Sequence, residues 1–330
     1  MTSPTHVAVI GAGIAGLSCA TTLQQTGFKV TVFDKSRGAA GRMSTRRADA
    51  WQCDHGAQYF TARDPDFRAE VQRWSEAGVA AGWAPRMQVF GDVALHQTDA
   101  TLQRFVGLPG MTAPAQFLAQ SLDFNAATTI ERLQRDGAAW QLQSAEGGWL
   151  SPRFDAVLLA LPAPQADVLL RPTAPDLAAL AAAVRMRGCW TLMLRFDAPV
   201  ELAFDAAFVN AGPLRWIARN SSKPGRSGAE TWLLHAQAEW SEAQLEQEPH
   251  TVAAQMLQAF AELGGPVPQA WTAHRWRYAD SAPASQQGCA WRADQRLGLC
   301  GDWLHGGKVE GAWLSGRRLA QQLLQDLPSI

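Results

Sequence analysis

The stretch from His6 to Lys35 constrains this chain more than any other. An apolar run, Val7–Ile10, reads as a buried strand and passes directly into Gly11-x-Gly13-x-x-Gly16. A helix-like segment follows from Ile14 to about Thr26, and Phe28–Phe33 is a second apolar strand that ends on Asp34 and Lys35. Strand, glycine turn, helix, strand and terminal acid, in that order, make a βαβ dinucleotide-binding unit. Gly11 permits the tight turn, Gly13 lets the backbone approach a pyrophosphate, and Gly16 lets the helix lie close to the strand. The helix start at Gly13, Ile14 and Ala15 offers free N–H groups and a positive dipole end to phosphates. Asp34 is placed to accept hydrogen bonds from ribose hydroxyls.

The next loop, Ser36 to Thr45, is dense in glycine and arginine. Directly after a βαβ unit it reads as a pyrophosphate clamp: Arg42 presents a planar set of donors, Gly41 lets the loop lie close, and Met43 follows them. Asp54 to Phe60 combines small, amide and aromatic side chains. There Gly56 and Ala57 permit close approach to a flat ring, and Gln58 and Tyr59 supply polar or stacking contacts.

Further on, Asp64-Pro65-Asp66 starts a helix with Phe67, Val71 and Trp74 on its buried stripe. Trp83 to Phe105 reads as short strands and turns. Thr112 is the candidate cap of a helix whose first turn holds Pro114. Thr128–Leu133, Ala139–Gln143 and Phe154–Leu161 are strands, the last continuously apolar like a central parallel strand. The alternation in Thr191–Phe196 and neighbouring runs suits an antiparallel sheet with one face open. At the C-terminal end, Leu297–Asp302 is a strand ending in Gly301-Asp302, and a long helix begins near Val309, Glu310, Gly311 and Ala312.

A dinucleotide unit split between the two ends of the chain points to FAD rather than NAD. FAD lies extended, so its AMP half uses the first βαβ while the ribityl and flavin half needs a separate platform. Asp302 is placed for the ribityl-phosphate region. The free N–H groups near Gly311 face the flavin pyrimidine, where they stabilise negative charge on the reduced ring.

The bulk numbers agree with an ordinary globular enzyme: 330 residues, 47% hydrophobic, 18% charged and a formal net charge of -1. That charge balance gives no reason to expect nucleic acid or an anionic membrane surface. Cys19, Cys53, Cys189, Cys289 and Cys300 are scattered without a CxxC, which reads as buried thiols in a reducing compartment rather than disulfides or metal ligands. With no signal-peptide pattern and no long apolar span, a cytoplasmic location is expected.

The segments GAGIAGLS, FDKSRGAAGRMST, DHGAQYFTARD, GMTAPAQFLA, LLALPAPQA, RNSSKPGR, HRWRYA and CGDWLHGGKVEGAWLSG resemble the amine-oxidase-type FAD superfamily and, within it, the bacterial renalases. The resemblance runs from end to end. It implies non-covalent FAD surrounded by Gly13, Asp34, Arg42, Gly56, Gln58, Ile130, Asp302 and Ala312, with Ile130 meeting the adenine through its backbone. Ala40 stands where the superfamily loop has glycine, and His55 stands where it has an apolar residue. Monoamine oxidases place a lysine near the flavin, and none of the four lysines here falls clearly at that position.

The resemblance further implies oxidation of misreduced 2- and 6-dihydro-NAD(P) to β-NAD(P)+, with O2 reduced to hydrogen peroxide. Tyr59, Trp216, Trp232 and Trp276 are candidates for an aromatic box around the dihydropyridine. His235 and His274 are candidates for its carboxamide, and Arg219 and Arg275 for its phosphates. Core packing is the competing reading for each tryptophan, and a structural hydrogen bond for each histidine. An amine oxidase or desaturase, and a flavin-bound regulatory module without turnover, are the alternative functions. The expected fold is α/β, a Rossmann-type FAD-binding domain (1–61, 106–164 and 291–330) interleaved with an α+β substrate domain (62–105 and 165–290) whose sheet is mostly antiparallel.

Overall fold

The structure, a computed structural model, describes residues 4–48, 50–92, 99 and 101–327. Positions 93–98 and 100, in the stretch read as short strands and turns, lie outside the described residues. The chain runs β1 (His6–Ile10), α1 (Ile14–Gln25), β2 (Lys29–Phe33), β3 (Thr45–Ala48), β4 (Trp51–Asp54), α2 (Pro65–Glu76), β5 (Ala80–Gly82), β6 (Met87–Gly91) and β7 (Phe105–Gly107). Next come α3 (Ala113–Ala119), β8 (Asp123–Asn125), β9 (Ile130–Asp136), β10 (Ala139–Ser144), β11 (Gly148–Trp149), β12 (Ala156–Leu159), α4 (Ala163–Leu170) and α5 (Pro175–Ala182). The remainder is β13 (Met186–Phe196), β14 (Ala206–Asn210), β15 (Leu214–Arg219), β16 (Glu230–Ala236), α6 (Ala238–Ala243), α7 (Pro249–Glu262), β17 (Ala270–Ser281), β18 (Ala290–Arg292), β19 (Leu297–Leu299) and α8 (Lys308–Asp326).

Among the described residues, one six-stranded sheet has the order β18-β19-β12-β1-β2-β8. It is parallel from β19 through β8, with only β18 reversed. Because successive side chains of a strand point to opposite faces, β1 feeds two cores. Val7 and Val9 pack with α1 and α8, while Ala8 and Ile10 pack with α4 and α5. The two chain ends meet where α8 crosses α1. A Cβ on Gly316 would stand 1.9 Å from the Ala15 carbonyl oxygen, so only glycine allows that approach. Ser18 Oγ donates to the Trp313 carbonyl across the same crossing, at 2.9 Å.

The second six-stranded sheet, β17-β13-β16-β15-β14-β6, is antiparallel except between β14 and β6. One open face was the expectation from alternation, and the structure corrects it. Thr191, Leu192, Met193 and Leu194 are all fully buried. Leu192, Leu194, Trp232 and Leu234 pack against Val252, Met256 and Phe260 of α7. On the other face, Met193, Leu233 and Trp216 join the core that runs under α1 and α8. Asp64 caps α2 as expected, its Oδ1 accepting from the Asp66 and Phe67 N–H groups. Thr112 does not cap α3; its Oγ1 lies 3.2 Å from an Arg47 donor instead. No helix among the described residues is long and apolar enough to cross a membrane.

Candidate functional site

The N-terminal glycines build an open cradle. Gly11 has a φ of +110°, and a Cβ there would meet the Ala160 carbonyl oxygen at 2.5 Å, so the turn itself demands glycine. Gly13 is different. Its φ of -73° suits any residue, and nothing stands within 4 Å of where its Cβ would be. It is the N-cap of α1, a helix start without a side-chain cap or an acid in its first turn. A bare, donor-rich helix start with nothing filling the space beside it fits a closely held pyrophosphate. Ile14, Ala15 and Gly16 form that first turn and are buried.

Asp34 stands at the tip of β2, where Oδ2 accepts from the Ala12 N–H at 2.7 Å and Oδ1 from the Ser36 N–H at 2.8 Å. Each carboxylate oxygen retains acceptor capacity for a ribose hydroxyl. The Asp34 carbonyl accepts from the Thr128 N–H, which brings the chain leading into Ile130 beside the same tip. Lys35 is exposed there. Charge-assisted hydrogen bonds are worth ~1.5–3 kcal/mol, so Asp34→Ala is expected to purify with far less FAD per chain, read from the flavin-to-protein absorbance ratio. Stoichiometric FAD in that variant would confine Asp34 to holding the turn.

The clamp loop closes on this cradle through a strained residue. Ala40, at the position where the resembled superfamily has glycine, has a φ of +134° and bridges to Gly13. That turn brings Gly41 to 3.4 Å from the Gly13 Cα, measured from where its Cβ would be. Met43 is buried beneath it. Arg42 and Asp302, expected to act separately, pair with each other. The guanidinium donates to Asp302 Oδ1 at 2.6 Å and to Oδ2 and the Ala279 carbonyl at 3.0 Å. The pair joins the clamp loop to the turn after Gly301, and its two donors on Asp302 are already spent.

Other expected cofactor residues have defined structural work. A Cβ on Gly56 would lie 2.0 Å from the Arg42 carbonyl oxygen, and the Ala57 N–H donates to that same oxygen at 2.9 Å. Gln58 is buried, with its amide NH2 donating to the Asp54 and Gly56 carbonyls. Glu310 Oε1 accepts from the Arg63 and Asp64 N–H groups, tying the chain before α2 to α8. Val309 and Ala312 are buried, and Gly311 lies against the His305 carbonyl.

On the substrate side, strand register assembles a row. His274 of β17, Thr191 of β13, His235 of β16, Trp216 of β15 and Phe208 of β14 are successive cross-strand partners on one face. Trp276 follows His274 two residues along the same face. His55 sits on this row, although the sequence marked it only as a departure from the resembled family. Its ring stacks on Trp276 at 5.2 Å and meets His274 edge-on at 4.8 Å. Its carbonyl accepts from Trp276 Nε1 at 2.9 Å and lies 3.2 Å from His235 Nε2. Tyr59 adds a ring 5.5 Å from Trp216.

The same alternation removes three expected residues from the row. Trp232 is fully buried on the opposite face among Phe204 and Phe260, with Nε1 bonded to Glu230. Arg219 is paired with Glu230 at 2.8 Å. Arg275 donates to the Leu245 carbonyl and Glu246 and lies over Trp190. None of the three faces the row.

Burial makes the imidazoles weak bases. It pushes His55 down to about 3, helped by His274 and Arg46, and His274 down to about 4, helped by Arg46. It pushes His235 down to about 4 as well, against the bond to the His55 carbonyl. All three are therefore neutral near pH 7.

Behind the row lies a charged cluster that sequence reasoning missed. Asp54 is fully buried and accepts from Thr45 Oγ1 at 2.7 Å, the Met111 N–H and Lys223 Nζ at 3.1 Å, and the Arg226 guanidinium. Burial would raise the Asp54 carboxyl, but Lys223 and Arg226 outweigh it and bring it to about 2. Lys223 also donates to Gln58 Oε1 at 3.1 Å and lies over Trp83. Lys223 therefore stands beside Gln58, one of the expected cofactor residues. Its segment, RNSSKPGR, was the available signal.

Comparison with known proteins gives the family. The family described as flavin containing amine oxidoreductase matches residues 72–324, and an NAD(P)-binding Rossmann-like domain matches residues 9–74. The bifunctional tRNA 5-methylaminomethyl-2-thiouridine biosynthesis protein MnmC of Ralstonia nicotianae is 30% identical over 44% of this chain and 22% of its own length. An L-amino acid oxidase of Crotalus durissus cumanensis is 42% identical over 22% of this chain and 14% of its own. These matches span about a fifth or less of the relatives' length. Among solved structures, cyclohexylamine oxidase from Brevibacterium oxydans superposes with a TM-score of 0.75 at 13% identity, covering 98% of this chain and 99% of that one. A putrescine oxidase bound to putrescine gives 0.73 at 13%, covering 98% and 100%. At such identities the likeness concerns the fold alone.

Proposed function

This chain belongs to the flavin-containing amine oxidoreductases and takes FAD as its cofactor, and we propose that it is a renalase-like oxidase of misreduced nicotinamide dinucleotides. The substrates are 2- and 6-dihydro-NAD(P), and the product is β-NAD(P)+. Non-covalently bound FAD supplies the two-electron acceptor, with O2 as the terminal oxidant and hydrogen peroxide as its product. Residues 1–61, 106–164 and 291–330 hold the cofactor in this reading, and 62–105 and 165–290 the substrate.

The observation that carries the proposal is the wall of aromatic rings and weakly basic imidazoles packed against the His55–Tyr59 segment. Loss of hydride from a dihydropyridine restores an aromatic pyridinium, so no general base has to act. Orientation and exclusion of water are what such a substrate requires. Tyr59, Trp216 and Trp276 supply flat apolar surface for the ring. His274 makes ring contacts with His55 and Trp276, and its side chain makes no hydrogen bond among the described residues, which leaves its ring nitrogens for the carboxamide. Neutral imidazoles also do not repel the cationic product.

Amine oxidation is the second reading, favoured by the buried Lys223. That lysine is committed to Asp54 and Gln58, which argues against it as a free proton acceptor. Anaerobic mixing of the FAD-loaded protein with 2-dihydro-NAD, followed at the visible flavin band, decides between them. Rapid bleaching is expected. Bleaching by amines alone would transfer the assignment to the second reading, and bleaching by neither, with FAD retained, would sink both.

A further inference from the structure

Two buried side chains beside Tyr59, Arg104 and Trp216, carry donor groups without partners among the described residues. Arg104 is 7% exposed, and its guanidinium lies 5.4 Å over the Tyr59 ring. Among the described residues it forms no ion pair, its Nε has no partner, and one NH2 group makes only a 3.3 Å contact to the Leu102 carbonyl. Asp99 is the acid that feels its charge, but that carboxylate is exposed and already accepts from Thr101 N–H and Oγ1. On the other side, Trp216 is 5% exposed, 5.5 Å from Tyr59, and its Nε1 is likewise unpartnered. Buried donors of this kind cost free energy unless something accepts from them.

We propose that Arg104 and Trp216, arranged around the Tyr59 ring, form an oxyanion subsite that binds a charged acceptor group of the substrate. The chemistry is one-sided. A guanidinium and an indole N–H are donors only, and the phenol adds another O–H. Lys223 lies nearby over Trp83, whose ring is 6.4 Å from Tyr59, so the local charge is positive as well. A planar guanidinium suits bidentate contact with phosphate or carboxylate. The phosphate assignment rests on the dihydronicotinamide reading, in which the group is a phosphate of the dinucleotide. A carboxylate would come instead from an amino-acid-like substrate. Arg104 thereby takes the role that the sequence assigned to Arg219 and Arg275, which are spent on Glu230 and Glu246.

Titration calorimetry on the FAD-loaded protein tests the subsite without turnover, using inorganic pyrophosphate and benzoate as probes. Pyrophosphate is expected to bind, Arg104→Gln to weaken it at least about tenfold, and Trp216→Phe to weaken it severalfold. Arg275→Gln, on the far face of the sheet, should bind as the unmodified protein does. Benzoate binding with the same Arg104 dependence, and none of pyrophosphate, would keep the subsite and assign it to a carboxylate. Trp216→Phe keeps the test decisive if Arg104→Gln does not fold. Binding of neither probe, or binding indifferent to both substitutions, overturns the proposal. Because no flavin reduction is read, failure of the dihydronicotinamide assay and failure of the subsite are separate results.

Discussion

Replacing Asp54 with asparagine is expected to remove about 3–5 kcal/mol of stability, the cost of breaking a buried ion pair by deleting one partner. Asp54 is the acid that Lys223 and Arg226 share, and the side chains of those two cations are 0% and 1% exposed. Without its charge, two positive groups remain buried together, and an asparagine NH2 adds a donor where only donors point. The bonds to Thr45, Met111, Lys223 and Arg226 come from three separate segments, so the loss spreads beyond one loop. Against a total stability of ~5–15 kcal/mol, the deficit is large enough to appear as low soluble yield or a strongly reduced urea midpoint. Lys223→Met should cost less, because it leaves one acid facing one cation. Equal costs, or a loss below about 1 kcal/mol for Asp54→Asn, would show that charge balance does not hold this cluster together. The unmodified protein should also lose the Asp54 contribution only in strong acid. The folded group is depressed to about 2, so its stabilisation is complete above the ordinary carboxylate range and disappears as pH falls toward 2.

What the sequence disclosed and what it concealed follow from distance along the chain. The Gly11-Gly13-Gly16 turn and Asp34 are legible because a βαβ unit is local: every partner lies within a few dozen residues. The meeting of the Gly11 turn and the Gly301-Asp302 end in one sheet is legible from two local patterns joined by one piece of cofactor geometry. The Arg42–Asp302 pair is not, since nothing near Arg42 indicates that its donors are taken. Arg219, Trp232 and Arg275 failed for a different reason. Each was chosen for its chemistry, although strand alternation already separates Arg275 from His274 and Trp276, and Trp232 from His235. Applying the period of two would have removed them. His55, Lys223 and Arg104 were beyond such reasoning, because their surroundings come from strands and loops far away in sequence.

The histidine row yields the second large effect, on stability against pH. For His55, His235 and His274 the folded values are lowered to about 3, 4 and 4. In the unfolded chain an ordinary imidazole binds its proton near pH 6.5. Between those limits the unfolded state holds protons that the folded state does not, so stability is complete above about pH 6.5 and falls as the pH drops toward 4. Each proton taken up on unfolding contributes ~1.4 kcal/mol per pH unit. Solvent reaches part of the His55 and His274 rings and screens them, so the total lies between one and three protons. His6 and His305 are lowered in the same sense, by burial first, and add to the slope. Melting temperatures taken from pH 7.5 to 4.5 should therefore decline steeply below about pH 6.5. His55→Leu, which puts an apolar side chain against Trp276, should flatten that decline by about one proton. Its bleaching rate with 2-dihydro-NAD at pH 7.5 separates structure from recognition. A flattened decline with an unchanged rate assigns His55 to packing, whereas a flattened decline with slower bleaching places its ring against the substrate. An unchanged decline would mean that His55 is protonated in the folded protein, and the picture of a neutral imidazole wall would fail with it.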